Sequence, residues 1–257
     1  MFKTLQCVLL LALAGLHVDA VAQEKNGESK ATETRTVDAR VVRIKLDGAI
    51  DLKLRQGDTP SLTITADRRY LVNVSSTQTG DTLRLDSASN GSRVKGSLVR
   101  AELVLPSLRE VVSDGLGMTD VSGFSGDEIA LSLDGAGSMK IVSDYKHVRA
   151  NLGGVGSMHI WMANNESIEL DLSGAGYITI GGRSKSLKAT LGGLGGLNAQ
   201  QFQTDSVQLD LSGLGNATVN ASVNATLNLS GLGSVTVYGK PLNRNVSVDG
   251  LGKVSWK

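Results

Sequence analysis

Four aspartates stand at fixed distances from a recurring Gly-x-Gly triplet, and carboxylates are the groups that acid–base catalysis or a bound cation would need. Asp114 and Asp134 directly precede the first glycine, whereas Asp171 and Asp210 stand three residues before it. Asp114 and Asp134 belong to successive triplets, which would allow a weak cation site. Asp171 and Asp210 are separated by a repeat that carries Thr190 in the same place. Because a solvated polar rim explains all four equally well, the pattern predicts no catalytic residue.

Histidine and cysteine occur too rarely to build a metal centre. Beyond the N-terminal leader the chain contains two histidines, His147 and His159, and its only cysteine, Cys7, lies within that leader. The processed chain therefore has no thiol for a disulfide or a metal, and no cofactor is predicted. The glycine-rich run 192–196 could suggest a nucleotide-binding loop, but that motif requires a following helix and this sequence continues its repeat.

The repeat that carries these residues is the dominant feature of the sequence. A Gly-(Leu/Ala/Val)-Gly triplet recurs every 18 to 20 residues, and its first glycines are Gly115, Gly135, Gly154, Gly174, Gly193, Gly213, Gly231 and Gly250. A fixed period of this length without helical periodicity is typical of a solenoid of stacked β-strands. Identical positions of successive repeats are then expected to lie one above another, about 4.8 Å apart.

Apolar and polar residues alternate on both sides of each triplet, as they do in strands with one buried face. The apolar columns stand two residues before the first glycine, as Leu172 and Leu211 do, and four and six residues after it. In this register Arg149, Glu169 and Lys188 stack as alternating charges. The glycines are expected at tight corners with positive φ, where stacking leaves no room for side chains. The apolar residue between them is expected to turn inward.

The outward columns form a repetitive polar surface, and we expect any binding activity there. The candidate binding residues are His159, Tyr177, Thr179, Asn198, Thr218 and Thr236. An array of hydroxyl and amide groups with an exposed aromatic ring suits many weak contacts with a glycan or another repetitive surface. It suits equally well a solenoid face that binds nothing.

Composition divides the chain into four segments. Residues 1–22 combine Lys3, an apolar run and a small-residue cleavage site, the pattern of a secretory signal, so we expect export to the periplasm or the bacterial surface. No membrane-spanning segment is expected after cleavage. Residues 23–36 are polar and are predicted to be a flexible tether. Residues 37–106 hold alternating runs that predict four or five strands capping the solenoid, which occupies residues 107–257. The net charge of +1 argues against nucleic acid as a partner.

Three short segments precede the repeat and carry a family resemblance. They are Ile44–Gly48 (IKLDG), Leu52–Gly57 (LKLRQG) and Leu103–Leu108 (LVLPSL), and Leu-Ser-Gly-(Ala/Leu)-Gly turns follow them. In these features the chain, from residue 37 to residue 257, resembles the bacterial head GIN domain family, whose members are described as putative autotransporter adhesins. The resemblance implies a right-handed β-helix in an envelope or secreted protein, and it brings no catalytic residues.

These observations predict an all-β fold, a single-stranded parallel β-helix of about eight coils of 18–20 residues with an N-terminal strand cap. The predicted function is that of a non-catalytic exported envelope protein for adhesion, binding or scaffolding, with a glycan or another cell-surface component as partner. The alternative is a carbohydrate-active β-helix enzyme, a polysaccharide lyase or hydrolase. A convergent cluster of carboxylates and basic residues in a concave groove would distinguish the enzyme.

Overall fold

The computed structural model describes residues 30–87 and 99–257, and most of these residues are in β-strands. The predicted signal, residues 1–22, lies outside the described residues. One short helix, α1 (Arg68–Leu71), begins after Asp67, whose side chain accepts a hydrogen bond from the Arg69 amide. The strands in chain order are β1 (Lys30–Arg35), β2 (Arg43–Gly48), β3 (Ile50–Gln56), β4 (Ser61–Asp67), β5 (Val74–Thr79), β6 (Thr82–Ser87), β7 (Val99–Leu105), β8 (Glu110–Ser113), β9 (Leu116–Leu133), β10 (Ala136–Leu152), β11 (Val155–Leu172), β12 (Ala175–Leu191), β13 (Leu194–Leu211), β14 (Leu214–Leu229), β15 (Leu232–Tyr238), β16 (Asn243–Val248) and β17 (Lys253–Trp256).

Strands β9 to β14 each run from one glycine corner to the next, so each forms one turn of a parallel solenoid. Their register matches the predicted columns, because Met139 pairs with Met158 and Leu152 pairs with Leu172. These columns point into one continuous lumen, where their aliphatic side chains are buried. Removal of this apolar surface from water is the main source of stability in such a fold. The parallel β-helix predicted from the period is confirmed.

The register between neighbouring strands shifts within every pair from β9 to β14. Between β10 and β11 the shift falls between Ser143 and His147, and between β11 and β12 it falls between Met162 and Asn165. Eight glycine corners have seven intervals between them, and each interval is one turn, so the solenoid has about seven turns. The predicted number of about eight coils equals the number of corners, which is one more than the number of turns between them.

Crowding, and not a positive φ, explains the first glycine of each triplet. A Cβ atom on Gly193 would collide with the carbonyl oxygen of Gly174 and would lie 2.8 Å from the carbonyl carbon of Ser173. All eight first glycines lie in the described part of the chain, and none of them has a positive φ. The expected positive φ is therefore wrong for these residues, although it holds for the second glycine Gly195, where φ is +142°.

The residue between the two glycines points outward, so the expectation that it turns inward is wrong. The exposed fraction is 61% for Val155, 56% for Leu194 and 52% for Leu232. Strand alternation continues through the corner and explains this direction, because the glycines occupy the inward positions. We call the resulting column the corner ridge, and its members are Leu116, Ala136, Val155, Ala175, Leu194, Leu214, Leu232 and Leu251.

The strands before the repeat add two more parallel layers to the stack, but not in chain order. Strands β2 and β3 pair in parallel with β8 and β9, which places Ile44 beside Val111 and Leu54 beside Val121. On their other side β2 and β3 pair in parallel with β6 and β7. The earlier pair β2–β3 therefore lies between the later pair β6–β7 and the glycine repeat.

Antiparallel strands cover the outer side of β6 and β7. Strand β4 pairs with β7, β5 pairs with β6, and β1 pairs with β4 on its free side. Residues 30–35, which were assigned to the flexible tether, are thus a strand. Their side chains are mostly exposed, and they are held by the strand pairing together with side-chain contacts such as Thr32 to Thr65. A polar segment can form an edge strand in this way without contributing to the core.

Candidate binding face

Five of the six candidate residues form a single ladder across five consecutive turns. The strand registers pair His159 with Thr179, Thr179 with Asn198, Asn198 with Thr218, and Thr218 with Thr236. They lie on the outward side of the segment that follows each glycine corner. We call this side of the solenoid, with the outward columns on either side of the ladder, the outer face.

The ladder presents polar groups at the spacing of the stacked strands, about 4.8 Å. His159 is exposed, whereas the residues that follow it are half-buried because each is covered by its neighbours in the turns above and below. The Asn198 side-chain oxygen accepts a hydrogen bond of 3.2 Å from the Gln200 amide, which fixes the orientation of that side chain. The result is a flat, regular row of hydroxyl and amide groups.

Tyr177, the sixth candidate, lies on the same face in the adjacent column. Its strand neighbours are Ser157 in the preceding turn and Gly196 in the following one. The ring covers Gly196, because a Cβ atom there would lie 2.8 Å from Cε2 of the tyrosine. The exposed fraction of Tyr177 is 46%, so part of the ring remains open to solvent.

Trp161 is a second aromatic residue on the outer face, and it was not among the residues predicted from the sequence. It stands two residues after His159, and 50% of its surface is exposed. Its strand neighbour in the next turn is Gly181, and a Cβ atom on Gly181 would collide with the indole ring. The indole therefore lies over Gly181 as the Tyr177 ring lies over Gly196. A glycine at the register position next to an aromatic residue is the sequence signal that would have revealed both.

The two rings stand on opposite sides of the polar ladder. Gly181, which the indole covers, is four residues from Tyr177 along β12, a separation of about 13 Å. The Tyr177 ring is displaced by one further turn towards Gly196. A small monosaccharide cannot reach both rings, whereas an extended chain lying across the ladder can. Aromatic faces next to hydroxyl and amide groups are suited to molecules that have both apolar and polar surfaces.

A polar groove with a volume of about 580 Å³ lies next to these register shifts. Asn165 forms part of its inner wall. The Asn165 amide nitrogen donates to the carbonyl oxygens of Tyr145 and Lys146 at 2.9 and 3.0 Å, and the Ser184 hydroxyl donates to its oxygen at 2.7 Å. The groove is lined by Lys146, Asn164, Asn165, Glu166, Arg183, Ser184, Lys185, Gln203, Thr204, Asp205, Asn220 and Ser222.

The charged side chains of the polar groove form ion pairs or hydrogen bonds with one another or with neighbouring residues. Lys185 Nζ lies 3.4 Å from Glu166 Oε1, and Ser222 donates to Asp205 at 3.2 Å. Lys146 Nζ bonds to an Asp127 carboxylate oxygen at 2.7 Å, and this hydrogen bond raises the pKa of Lys146. Glu166 and Asp205 lie on β11 and β13, two turns apart and so separated by about 9.6 Å along the stack. This arrangement can bind polar ligands, but its two carboxylates do not meet.

The four aspartates singled out in the sequence either form hydrogen bonds with neighbouring polar side chains or are exposed to solvent. Asp134 accepts from the Ser132 hydroxyl at 2.7 Å, and Asp210 accepts from the Asn228 amide at 2.6 Å. Asp114 and Asp171 are exposed. Within residues 30–87 and 99–257, no group of three or more His, Cys, Asp or Glu side chains is placed to hold a metal ion. In the same ranges, no helix is both long and apolar enough to span a bilayer.

Comparison with known proteins agrees with this architecture. Residues 42–241 match a family model described as "Putative auto-transporter adhesin, head GIN domain". A search of curated proteins finds no match.

Solved structures share the fold at low sequence identity. A putative adhesin from Parabacteroides merdae ATCC 43184 has a TM-score of 0.76 and 20% identity, with 90% of this chain and 97% of that chain covered. A putative adhesin from Parabacteroides distasonis ATCC 8503 has a TM-score of 0.73, 20% identity and coverages of 89% and 97%. A structure from the same organism, described as a putative lipid binding protein, has a TM-score of 0.70, 16% identity and coverages of 89% and 97%.

Proposed function

Because this chain belongs to the family described as putative auto-transporter adhesin, head GIN domain, we propose that it is an exported, non-catalytic adhesion module whose outer face binds an extended glycan. The observation that carries the proposal is the pair of exposed rings, Trp161 and Tyr177, on opposite sides of the polar ladder. Each ring lies over a glycine of the next turn, so its orientation is held before any ligand arrives. Such preorganisation lowers the entropic cost of binding.

The two kinds of group on the outer face have different roles in this proposal. The apolar sides of pyranose rings pack against the indole of Trp161 and the phenol of Tyr177. The sugar hydroxyl groups exchange hydrogen bonds with the ladder that contains Thr179 and Asn198. Because the ladder repeats similar groups, its contacts add up and no single polar residue dominates the affinity. The two aromatic residues are the exception, since neither has an aromatic residue beside it in the adjoining turns, where Trp161 pairs with Val142 and Gly181 and Tyr177 pairs with Ser157 and Gly196.

Glycan and polysaccharide arrays probed with the purified protein identify the ligand. Alanine variants of the protein then test the site. We expect Trp161→Ala and Tyr177→Ala each to weaken binding at least about tenfold, the range of a hot-spot contact. The matched control is Val72→Ala, which should leave the affinity unchanged because Val72 is 82% exposed and follows helix α1, away from the outer face. Thr218→Ala tests the ladder and should change the affinity by less than about threefold. Unchanged affinity in the Trp161 and Tyr177 double variant would refute the proposed face.

The polar groove is where the alternative function, polysaccharide cleavage, would act. It brings Glu166 and Asp205 into one concavity with Lys146, Arg183 and Lys185. The ion pair between Lys185 and Glu166, at 3.4 Å, favours binding over acid–base catalysis. Depolymerisation assays on every bound polysaccharide decide the matter. Cleavage that is abolished by Glu166→Gln or Asp205→Asn, with the thermal midpoint unchanged, would replace the adhesion proposal by an enzyme.

A further inference from the structure

The corner ridge is an apolar column on the outside of the solenoid, and the proposed glycan site shares no residue with it, although Tyr177 stands in the adjacent outward column. The exposed fractions are 57% for Leu116, 49% for Leu214 and 85% for Leu251. Each turn contributes one Leu, Val or Ala at this outward position, whereas the polar ladder beside it consists mostly of hydroxyl and amide groups. A contiguous apolar strip of this kind on a protein surface usually marks an interaction site.

The columns that flank the ridge are uncharged over most of its length, although one of them contains Met118 and Tyr177. The residue before each first glycine is Gly or Ser in the five turns from Gly153 to Ser230, and aspartate occurs there at the two ends, at Asp114, Asp134 and Asp249. The residue after the second glycine is uncharged from Met118 to Ser234. An approaching surface can therefore contact the ridge closely without desolvating a charge.

We propose that the corner ridge binds the corner ridge of a second copy of this chain, with the two solenoids antiparallel. The order of residue sizes supports this occupant. Around a two-fold axis between Ala175 and Leu194, each small residue of one copy lies opposite a leucine of the other. The pairs are Ala175 with Leu194, Val155 with Leu214, Ala136 with Leu232, and Leu116 with Leu251.

The pitch of the two surfaces supports the same conclusion. A second solenoid also repeats its side chains about every 4.8 Å. The ridge side chains of the two copies therefore stay in register over the whole length of the ridge, about 34 Å. A symmetric contact between identical patches also closes on itself and stops at a dimer. The strip is roughly 13 Å wide, so two strips bury on the order of 900 Å² together, at the low end for specific interfaces. The dimer is consequently a weak one.

The charged residues at the two ends of the flanking columns allow the relative orientation of the two solenoids to be tested. In the antiparallel dimer Asp249 lies opposite Asp114 of the second copy, which weakens the association. If the solenoids were parallel, Asp249 would instead lie opposite Lys253 of the second copy. Asp249→Lys should therefore strengthen the antiparallel dimer and weaken a parallel one.

Sedimentation velocity of the purified protein from about 10 μM to 1 mM measures the association, because weak interfaces dissociate in the micromolar range. We expect a concentration-dependent monomer–dimer equilibrium. The double variant Leu194→Thr/Leu214→Thr should weaken it at least about tenfold. Val142→Thr, an exposed apolar residue away from the ridge, is the control and should leave it unchanged. Ala175→Lys is a second variant that places a charge at the two-fold axis without removing apolar contacts, and it should also abolish the dimer.

The results that overturn the proposal are equally definite. The proposal fails if the wild-type protein stays monomeric up to 1 mM, or if the ridge variants associate as the wild type does while retaining its thermal midpoint. Flotation with phosphatidylcholine vesicles tests a lipid surface as the occupant. Vesicle binding by the monomer that is lost in Leu194→Thr/Leu214→Thr would assign the ridge to lipid instead of a second copy.

Discussion

Glu169 belongs to a charge ladder that crosses four turns. Its Oε1 atom lies 2.7 Å from Lys188 Nζ, and its Oε2 atom lies 3.6 Å from Arg149 Nε. Arg149 also reaches Glu128 at 2.6 Å in the preceding turn. The hydrogen bond from Lys188 lowers the pKa of Glu169, and the charges of Lys188 and Arg149 act in the same direction. The alternation expected from the sequence register is thus confirmed at the level of individual atoms.

The depressed pKa of Glu169 predicts how this ladder responds to acid. A carboxyl group with a lowered pKa in the folded state stabilises the fold above its unfolded value, about 4.3, and this contribution is lost as the pH falls through the folded pKa. Glu169→Gln should therefore lower the thermal midpoint at pH 7 and have little effect at pH 3. The change corresponds to at most about 1 kcal/mol, because the pair is largely exposed. An equal difference at both pH values would show that packing, and not charge, is responsible.

Two adjacent glycines at one corner provide a sharper test at the same scale. A Cβ atom on Gly193 would collide with the backbone of Gly174, whereas a Cβ atom on Gly192 would meet only the Ser212 hydroxyl, at 3.7 Å. Gly193→Ala should cost more than about 2 kcal/mol of unfolding free energy, and Gly192→Ala should lie within about 0.5 kcal/mol of wild type. Urea denaturation measures both. Similar midpoints for the two variants would mean that the stacked coils separate easily.

At the scale of the strand, inward and outward positions should differ sharply in their contribution to stability. Leu172 and Leu211 are buried in the lumen, with 1% and 2% of their surface exposed. Leu→Ala at either position leaves a cavity between coils and should cost roughly 2–5 kcal/mol. Thr218→Ala on the polar ladder should cost no more than about 0.5 kcal/mol. Chemical denaturation of the three variants checks this, and comparable losses at all three would contradict the assignment of the faces.

The strand pattern explains which features could be predicted from the sequence. The lumen columns and the polar ladder follow from a period of about 19 residues and an alternation of two, because both are repeated in every turn. The inward direction expected for Leu194 was wrong because it was inferred from its apolar character and not from its place in the alternation. Trp161 was missed because its outward column varies from turn to turn, with Val142 before it and Gly181 after it, and so gives no periodic signal.

The cap was less predictable for a different reason. The layer formed by β2 and β3 is inserted between β6–β7 and the repeat, and these contacts join strands that are far apart in the chain. A prediction from the alternating pattern finds such strands but does not determine their partners. Pairing of β1 with β4 could not be expected either, because the side chains of β1 are polar and the backbone provides most of its contacts.

At the scale of the whole molecule, the two ends of the stack differ. Antiparallel strands β4 and β5 cover the first parallel layer, and β1 covers β4. The last turn has little above it, since every residue of β16 is exposed, including Val246 and Val248 at 40% and 42%. At this end the Arg244 guanidinium packs on the Trp256 ring, 4.3 Å from its centre. Cation–π contacts of this kind stabilise by about 0.5–1 kcal/mol at exposed sites.

This asymmetry predicts that the stack opens from its C-terminal end. Because each turn contacts only its neighbours, local opening should begin where one neighbour is missing. Amide hydrogen exchange should therefore be fastest in β16 and β17 and at least about 100-fold slower in β11 to β13, since local openings range from nearly free to the full unfolding energy. Arg244→Ala and Trp256→Ala should accelerate exchange in the last two turns only, and Arg183→Ala, on the polar groove, serves as the control that leaves them unchanged. Uniform protection from β6 to β17, or faster exchange in β6 and β7 than in β16, would show that the antiparallel strands do not act as a cap and that the solenoid opens cooperatively instead.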